Sequence, residues 1–266
     1  IQMKKRLYRV LIMAGATPSV ADAEKAIRAG RVRVDGKVVT SPNYFADPKR
    51  KAVTLDERPV RPIRRLYFVV HKPAGVLSEK TKDGPGVVGL IQVTEEIRAS
   101  LFAVGRLDKE SRGAILVTND GEWASGLMTP ESRVPKRYRV SLDRDPADTD
   151  LSAIADGVRI QDLRKEGAGK TPSYQTRPAE IRALEGRDVE VTIIEGKKRQ
   201  VRLMFSARGY RVVDLIRASI GGVALGDLPE GSARALTTNE KESLLVDALE
   251  IRHQAVGAGQ VDREDA

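Results

Sequence analysis

The sequence predicts an α+β protein in two parts. A small N-terminal domain of two helices plus a β-hairpin is followed by a larger domain with a mostly antiparallel, mixed sheet flanked by helices. Three observations lead there. Helical spacing of apolar residues occurs twice near the N-terminus and gives way to alternating valines around Asp35-Gly36. Beyond residue 65, short β-rich runs are joined by turns and occasional helices, without the regular strand–helix alternation of a parallel sheet. Between these regions, residues 57–65 read ERPVRPIRR, and their prolines make a short, stiff connector. The expected division is therefore a domain over 1–60, a linker over 61–65, a domain over 66–250 and a polar, disordered tail over 251–266.

In the first domain, Leu7, Val10, Leu11 and Ala14 fall on one helical face. A second helix carries Ala23, Ala26 and Ile27 inward, opens at Ser19 or Asp22 and closes at Gly30. Val32, Val34, Val38 and Val39 flank Asp35-Gly36, a strong hairpin signal, and AVTLD adds a short strand. In the second domain, residues 66–70 form a compact β run that the 72–75 stretch breaks into a turn. Strands are expected over 101–104 and 115–118, then a turn at Asn119-Asp120-Gly121 and a short helix. VPKRYRVSL is a strand with Arg137, Arg139 and Ser141 on one side and Tyr138 and Val140 on the other. DVEVTIIEG alternates as a strand, and KKRQVRLMFSARG is a basic helix with Val201, Met204 and Phe205 inward and Gly209 as its stop. A further strand follows in the stretch after Gly209, then a helix opened by Thr237 or Thr238.

Charge is unevenly distributed. The whole chain carries a formal +9, yet residues 1–65 hold 16 Lys/Arg against 6 Asp/Glu, so the excess lies in the first quarter. A concentrated basic module is the footprint of a protein that touches phosphates. Lys25 and Arg28 share a helix face, and Arg31 and Arg33 point away from the hairpin valines. Lys5, Arg6 and Arg9 extend the same rim. Such a surface suits backbone and shape recognition of structured RNA better than base readout. The absence of cysteine excludes disulfides and cysteine-based zinc or nucleophile chemistry and fits a cytoplasmic protein. The two histidines, His71 and His253, lack the spacings of a metal centre or a hydrolase triad, and no metal is expected. No Gly-rich nucleotide-binding motif is present, so no cofactor is expected. No apolar run reaches membrane-spanning length.

One carboxylate draws attention. In GRLDKESRGAILVTNDG, Asp108 lies two residues after Arg106, on the same side if the chain is extended. Nearby cations keep such an acid ionised and able to act as nucleophile or base. An ordinary salt bridge would explain the spacing equally well. Asp120 reads as a turn residue or helix cap, and Trp123 as core. Tyr138 is either a core aromatic or a ring that stacks on a base, and Arg199 and Arg202 share a face of the basic helix.

RLYRVLIMAG and AEKAIRAGRVRVDGKVV resemble the S4 RNA-binding domain over residues 4–58, except that TPSVAD stands where that family has Ser-Arg before its second helix. GRLDKESRGAILVTNDG resembles the signature of the RsuA/RluB family of ribosomal RNA pseudouridine synthases. HKPAGVLS, VPKRYRV, EGKKRQVRLMF and LIRASIGGVALGDLPEGSARALTTNE resemble its other ordered motifs, and Thr129 departs from a His-Pro pair. The resemblance implies isomerisation of uridine to pseudouridine without metal or redox cofactor. It implies Asp108 as nucleophile and Arg106 as the group that fills the stack vacated by the flipped base. Tyr138 would pack on that base, and Arg202 would pair with Asp108. Gly105, Leu107, Ser111 and Gly113 would shape the loop and Val201 would wall the pocket. Lys72, Lys136, Arg199 and Gln200 stand in the matched motifs as substrate-binding positions. The expected partner is ribosomal RNA or a pre-ribosomal particle, with the large subunit preferred, and the expected state a monomer. The competing readings are a non-catalytic RNA-binding assembly factor and a metal-dependent nuclease using Asp108 and Asp120.

Overall fold

A computed structural model describes residues 5–17, 19–47, 50–61, 64–82, 84–161 and 172–244; the expected tail at 251–266 and His253 lie outside them. Its contacts fall into two units: the described residues of Ile1–Leu66 with Ile91–Phe102, and those of Tyr67–Leu90 with Ala103–Ala266.

In the first unit, β1 (Lys5–Arg6) leads into α1 (Leu7–Met13), followed by α2 (Val20–Arg28), β2 (Val32–Val34), β3 (Lys37–Val38), β4 (Phe45–Ala46), β5 (Val53–Leu55) and β6 (Arg58–Pro59). Ser19 caps α2 by accepting from the Asp22 amide, which satisfies one of the four orphan donors of that helix end. The Asp35-Gly36 turn has positive φ at both residues, the geometry that matches the twist of a tight hairpin. Leu7, Leu11, Ala23, Ile27, Val32 and Val34 share one core, while Val38 is exposed because its strand lies at the sheet edge. A further helix, α3 (Glu95–Ser100), belongs to this unit and had no clear sequence signal.

The second unit is built on β7 (Tyr67–Lys72), β8 (Phe102–Val104), β9 (Arg112–Thr118), α4 (Gly121–Met128), β10 (Lys136–Leu142), α5 (Asp148–Ala155), β11 (Arg159–Gln161), β12 (Ser173–Gln175), β13 (Glu180–Ala183), β14 (Asp188–Ile193), α6 (Gln200–Ser206), β15 (Val212–Ile220), β16 (Val223–Ala224) and β17 (Ala233–Ala235). Its main sheet runs β13-β14-β10-β15-β9-β7-β17, with β8 beside β9 and β16 beside β15. Along the β13-to-β17 path every pairing is antiparallel except β15 with β9, so the sheet is mixed as expected. Leu151, Ile154, Val201, Met204 and Phe205 from α5 and α6 pack on one face with Tyr138, Val140 and Val191. Trp123, Ala124 and Leu127 from α4 pack on the other face with Val69, Ala114 and Leu116. The residues 238–244 are helical, opened by a reciprocal cap between Thr237 and Glu240. No helix among the described residues is long and apolar enough to cross a membrane.

Gly113 is where the parallel pair closes. Its φ is +114°, and a Cβ there would lie 2.3 Å from the Arg217 carbonyl oxygen and 2.4 Å from its amide nitrogen. Gly113→Ala should therefore cost about 3 kcal/mol or more, since backbone must move. Gly36→Ala meets open space and should cost only about 1–2 kcal/mol, the left-handed penalty. Urea denaturation of the two variants checks the difference; equal losses would contradict it.

Candidate active site

The strand register assembles the site. Lys72 on β7 pairs with Gly113 on β9, Gly113 with Arg217 on β15, and Arg217 with Tyr138 on β10. These four positions form one row across the middle of the sheet. The pairing with β10 shifts between Arg137 and Tyr138, so Ser219 faces Arg137 while Arg217 faces Tyr138. The extra residue is Ala218, a bulge of the kind that re-aims a side chain.

Over this row runs the 105–111 loop, and side chains meet its inward-facing backbone. Lys72 is fully buried, and its Nζ donates to the carbonyls of Ser111 at 2.7 Å, Pro73 at 2.9 Å and Lys109 at 3.1 Å. The Gly75 amide donates to the same Lys109 carbonyl at 2.8 Å. Ser78 Oγ makes a reciprocal pair with Leu107, accepting from its amide and donating to its carbonyl, each at 2.9 Å. Arg217, 4% exposed, donates from Nε to the Ala114 carbonyl at 2.7 Å and from Nη1 to the Arg106 carbonyl at 3.5 Å. Leu107 inserts into the same apolar cluster as Tyr138 and Val201.

Asp108 sits half-buried on this loop, and its carboxylate takes no ion pair or side-chain hydrogen bond among the described residues. It is close enough to act on Lys72. Burial pushes the Lys72 ammonium down to about 8, and the Asp108, Glu110 and Glu230 carboxylates oppose that fall. Lys136 is also pushed down to about 8, first by burial and then by Arg217, and its Nζ donates to the Val134 carbonyl at 2.8 Å. The acids around Asp108 are already engaged: Glu110 is ion-paired with Arg199, and Glu79 lies 3.8 Å from Arg106.

Several expected positions take other roles. Arg202 does not close on Asp108; its Nη1 donates to the Val212 carbonyl at 3.0 Å and its Nη2 reaches Ser111 Oγ at 3.4 Å. Its reach is captured by the strand that follows α6. Gln200 is buried, with Oε1 accepting from the Lys197 amide and Nε2 donating to Glu195, so it closes the turn before α6 and presents no amide to a ligand. Asp120 caps α4 and accepts from the Tyr67 hydroxyl at 2.7 Å, which removes the second carboxylate of the nuclease reading. Arg106 is well exposed, with its side chain at 76%. Gly105 begins the loop with positive φ, and Ser111 is buried at its end.

In the first unit, Arg9, Lys25, Arg28, Arg31 and Arg33 are exposed. Arg28 pairs with Glu24, Arg31 with Asp56, and Arg33 donates to the Gly36 carbonyl. Arg9 and then Arg6 hold the Tyr8 phenol below its usual range, which places both guanidinium groups beside it. Lys5 is half-buried in β1.

A family model described as RNA pseudouridylate synthase matches residues 66–207, and an S4 domain model matches residues 5–50. The chain belongs to the RNA pseudouridylate synthase family. An uncharacterized RNA pseudouridine synthase of Mycobacterium tuberculosis is 36% identical over 95% of this chain and 94% of its own. One from Aquifex aeolicus is 32% identical over 98% and 99%. The ribosomal small subunit pseudouridine synthase A of Escherichia coli is 34% identical over 85% and 94%. A crystal structure of a pseudouridylate synthase superposes with a TM-score of 0.62 at 29% identity, covering 90% of this chain and 99% of that one.

Two residues of this synthase's site escaped the sequence reading. Arg217 had a signal, an arginine inside the apolar strand LIRASI, whereas Ser78 had none, since a serine after a Lys-Pro turn is ordinary. The lysine shifts give a pH dependence. Between about 8 and the usual lysine value of 10.5, the unfolded chain still binds a proton that folded Lys72 has released, so stability from this group rises with pH. Lys136 acts in the same sense. Thermal melts across this window should show a smaller rise for Lys72→Met than for the wild type; equal slopes would contradict the assignment.

Proposed function

We propose that this enzyme isomerises uridine to pseudouridine in ribosomal RNA, with Asp108 as nucleophile and the target base flipped out of its stack. The observation that carries the reading is a carboxylate left unspent on a loop held by buried hydrogen bonds, within electrostatic reach of a buried ammonium, while its acidic neighbours are paired. A carboxylate with its oxygens unengaged is available to a substrate. The isomerisation breaks the bond between N1 and C1′, turns the uracil, forms a bond between C5 and C1′, and releases the C5 proton to solvent while the freed N1 takes up a proton. Asp108 starts it, either by attack at C1′ or by removing the 2′ proton to give a glycal, and a 2′-deuterium isotope effect separates these routes.

Arg106, exposed and two residues from the acid, fills the gap left by the flipped base, as a guanidinium plane stacks on bases. Tyr138 and Val201 wall the pocket. Lys72 acts from beneath the loop and not by touching RNA, because its ammonium is fully buried. Lys136 and Arg199 border the base pocket; Arg199 exchanges Glu110 for an RNA phosphate. In the first unit, Lys5, Arg6, Arg9, Lys25, Arg28, Arg31 and Arg33 contact the RNA backbone, which fits a cytoplasmic enzyme acting as a monomer on ribosomal RNA or its precursor particles. The Escherichia coli relative is named for the small subunit, and among these relatives none is named for the large one, so the small subunit is the first substrate to try.

Tritium release from ribosomal RNA labelled at uracil C5 tests the reaction. The wild type should release label, and Asp108→Asn should lose at least about a thousandfold in rate; release by the variant at the wild-type rate would remove Asp108 from the chemistry. Replacing Lys25, Arg28 and Arg33 by Gln should flatten the plot of log affinity against log salt by about 0.7–0.9 per lost phosphate contact. An unchanged slope would take the basic rim out of the RNA interface.

A further inference from the structure

Arg217 is the one buried cation of the site that the reaction as written does not use. It lies mid-strand at 4% exposure, and no carboxylate pairs with it among the described residues. Its Nη2 is buried without a hydrogen-bond partner. Burying a guanidinium without a counter-charge, and leaving one of its donors unmet, is costly, and an apolar residue would fill a purely structural place in the strand more cheaply. The rest of the group is aimed with purpose. Nε holds the Ala114 carbonyl on β9, and Nη1 lies 3.5 Å from both the Arg106 carbonyl and the Tyr138 hydroxyl. The bulge at Ala218 is what puts it opposite Tyr138.

A phenol has one O–H donor and an oxygen that accepts. When Arg217 donates to that oxygen, the O–H must point elsewhere. Tyr138 packs in the apolar cluster of Leu107 and Val201, and among the described residues its hydroxyl makes no hydrogen bond other than that with Arg217. We propose that Arg217 is a positioning residue: it fixes the direction of the Tyr138 O–H toward the substrate base and ties the phenol to the Arg106 carbonyl, so that Tyr138 and the Asp108 loop are set as one unit. This rests on the proposed reaction and deepens it.

The test compares the wild type with Arg217→Met and Arg217→Lys. Rates and KM for ribosomal RNA are read by tritium release, thermal melts report folding, and the Tyr138 resonance is read by NMR on protein carrying ring-ζ-carbon-labelled tyrosine, assigned with Tyr138→Phe. Arg217→Met should lower kcat at least about tenfold, equivalent to about 1.4 kcal/mol, with KM changed less than about twofold. It should also move the Tyr138 resonance. Arg217→Lys keeps the charge but lacks the planar fork that spans Ala114 and Tyr138, so it should recover part of kcat, and it serves as the working variant if the methionine form does not fold. An unmoved Tyr138 resonance, or a kcat loss no larger than the loss of folded protein, overturns the proposal. A wild type that releases no tritium sinks the reaction and the catalytic role with it, and the resonance then decides separately whether Arg217 orients the phenol.

Discussion

A loop laid over a sheet has a backbone problem: its inward carbonyls and amides leave water and need partners. In this protein the 105–111 loop solves it with side chains. Lys72 collects the carbonyls of Pro73, Lys109 and Ser111, Arg217 reaches those of Arg106 and Ala114, and Ser78 satisfies both backbone groups of Leu107. Each of these partners is itself fixed by the sheet or by the turn that leaves β7. The loop's shape is thus dictated from below, and little conformational entropy is left for a substrate to remove. Gly113 belongs to the same constraint, since a side chain there would push β15, and with it Arg217, away from β9.

That solution has an electrostatic consequence. Buried cations under the loop are expensive, and the lowered Lys72 and Lys136 values show the strain of desolvation. Asp108 lessens the cost for Lys72 without spending its oxygens on a direct hydrogen bond. Its carboxylate makes no close pair among the described residues. A close pair with Arg202 would have stabilised the acid more and exposed it less. In this structure Arg202 is held instead by Val212 and Ser111.

Much of this was legible beforehand, and the exceptions share a cause. The hairpin, the capped helices and the inward faces of β10 and α6 follow from local pattern, because turn chemistry and periodicity are properties of a few adjacent residues. Asp108 stood out because an acid among cations is locally unusual. Gln200 stands in a matched motif, yet its amide is used by Lys197 and Glu195, a turn geometry that composition does not reveal. The value of Ser78 and Arg217 depends on which strands become neighbours, and the parallel pairing of β9 with β15 joins residues a hundred positions apart. Residues 95–100, inside the stretch 66–250 expected as one domain, form α3 and group with the first unit for the same non-local reason.

The 72–78 segment and the buried row hold the loop that presents Asp108. Native-state amide hydrogen exchange on Ser78→Ala tests it at a single bond, because the Leu107 amide has Ser78 Oγ as its partner. Leu107 and its loop neighbours should lose protection while the amides of β9 and β10 keep theirs, with a parallel fall in the rate of tritium release. Unchanged protection at Leu107, with wild-type rate, would show that the loop is held by something else.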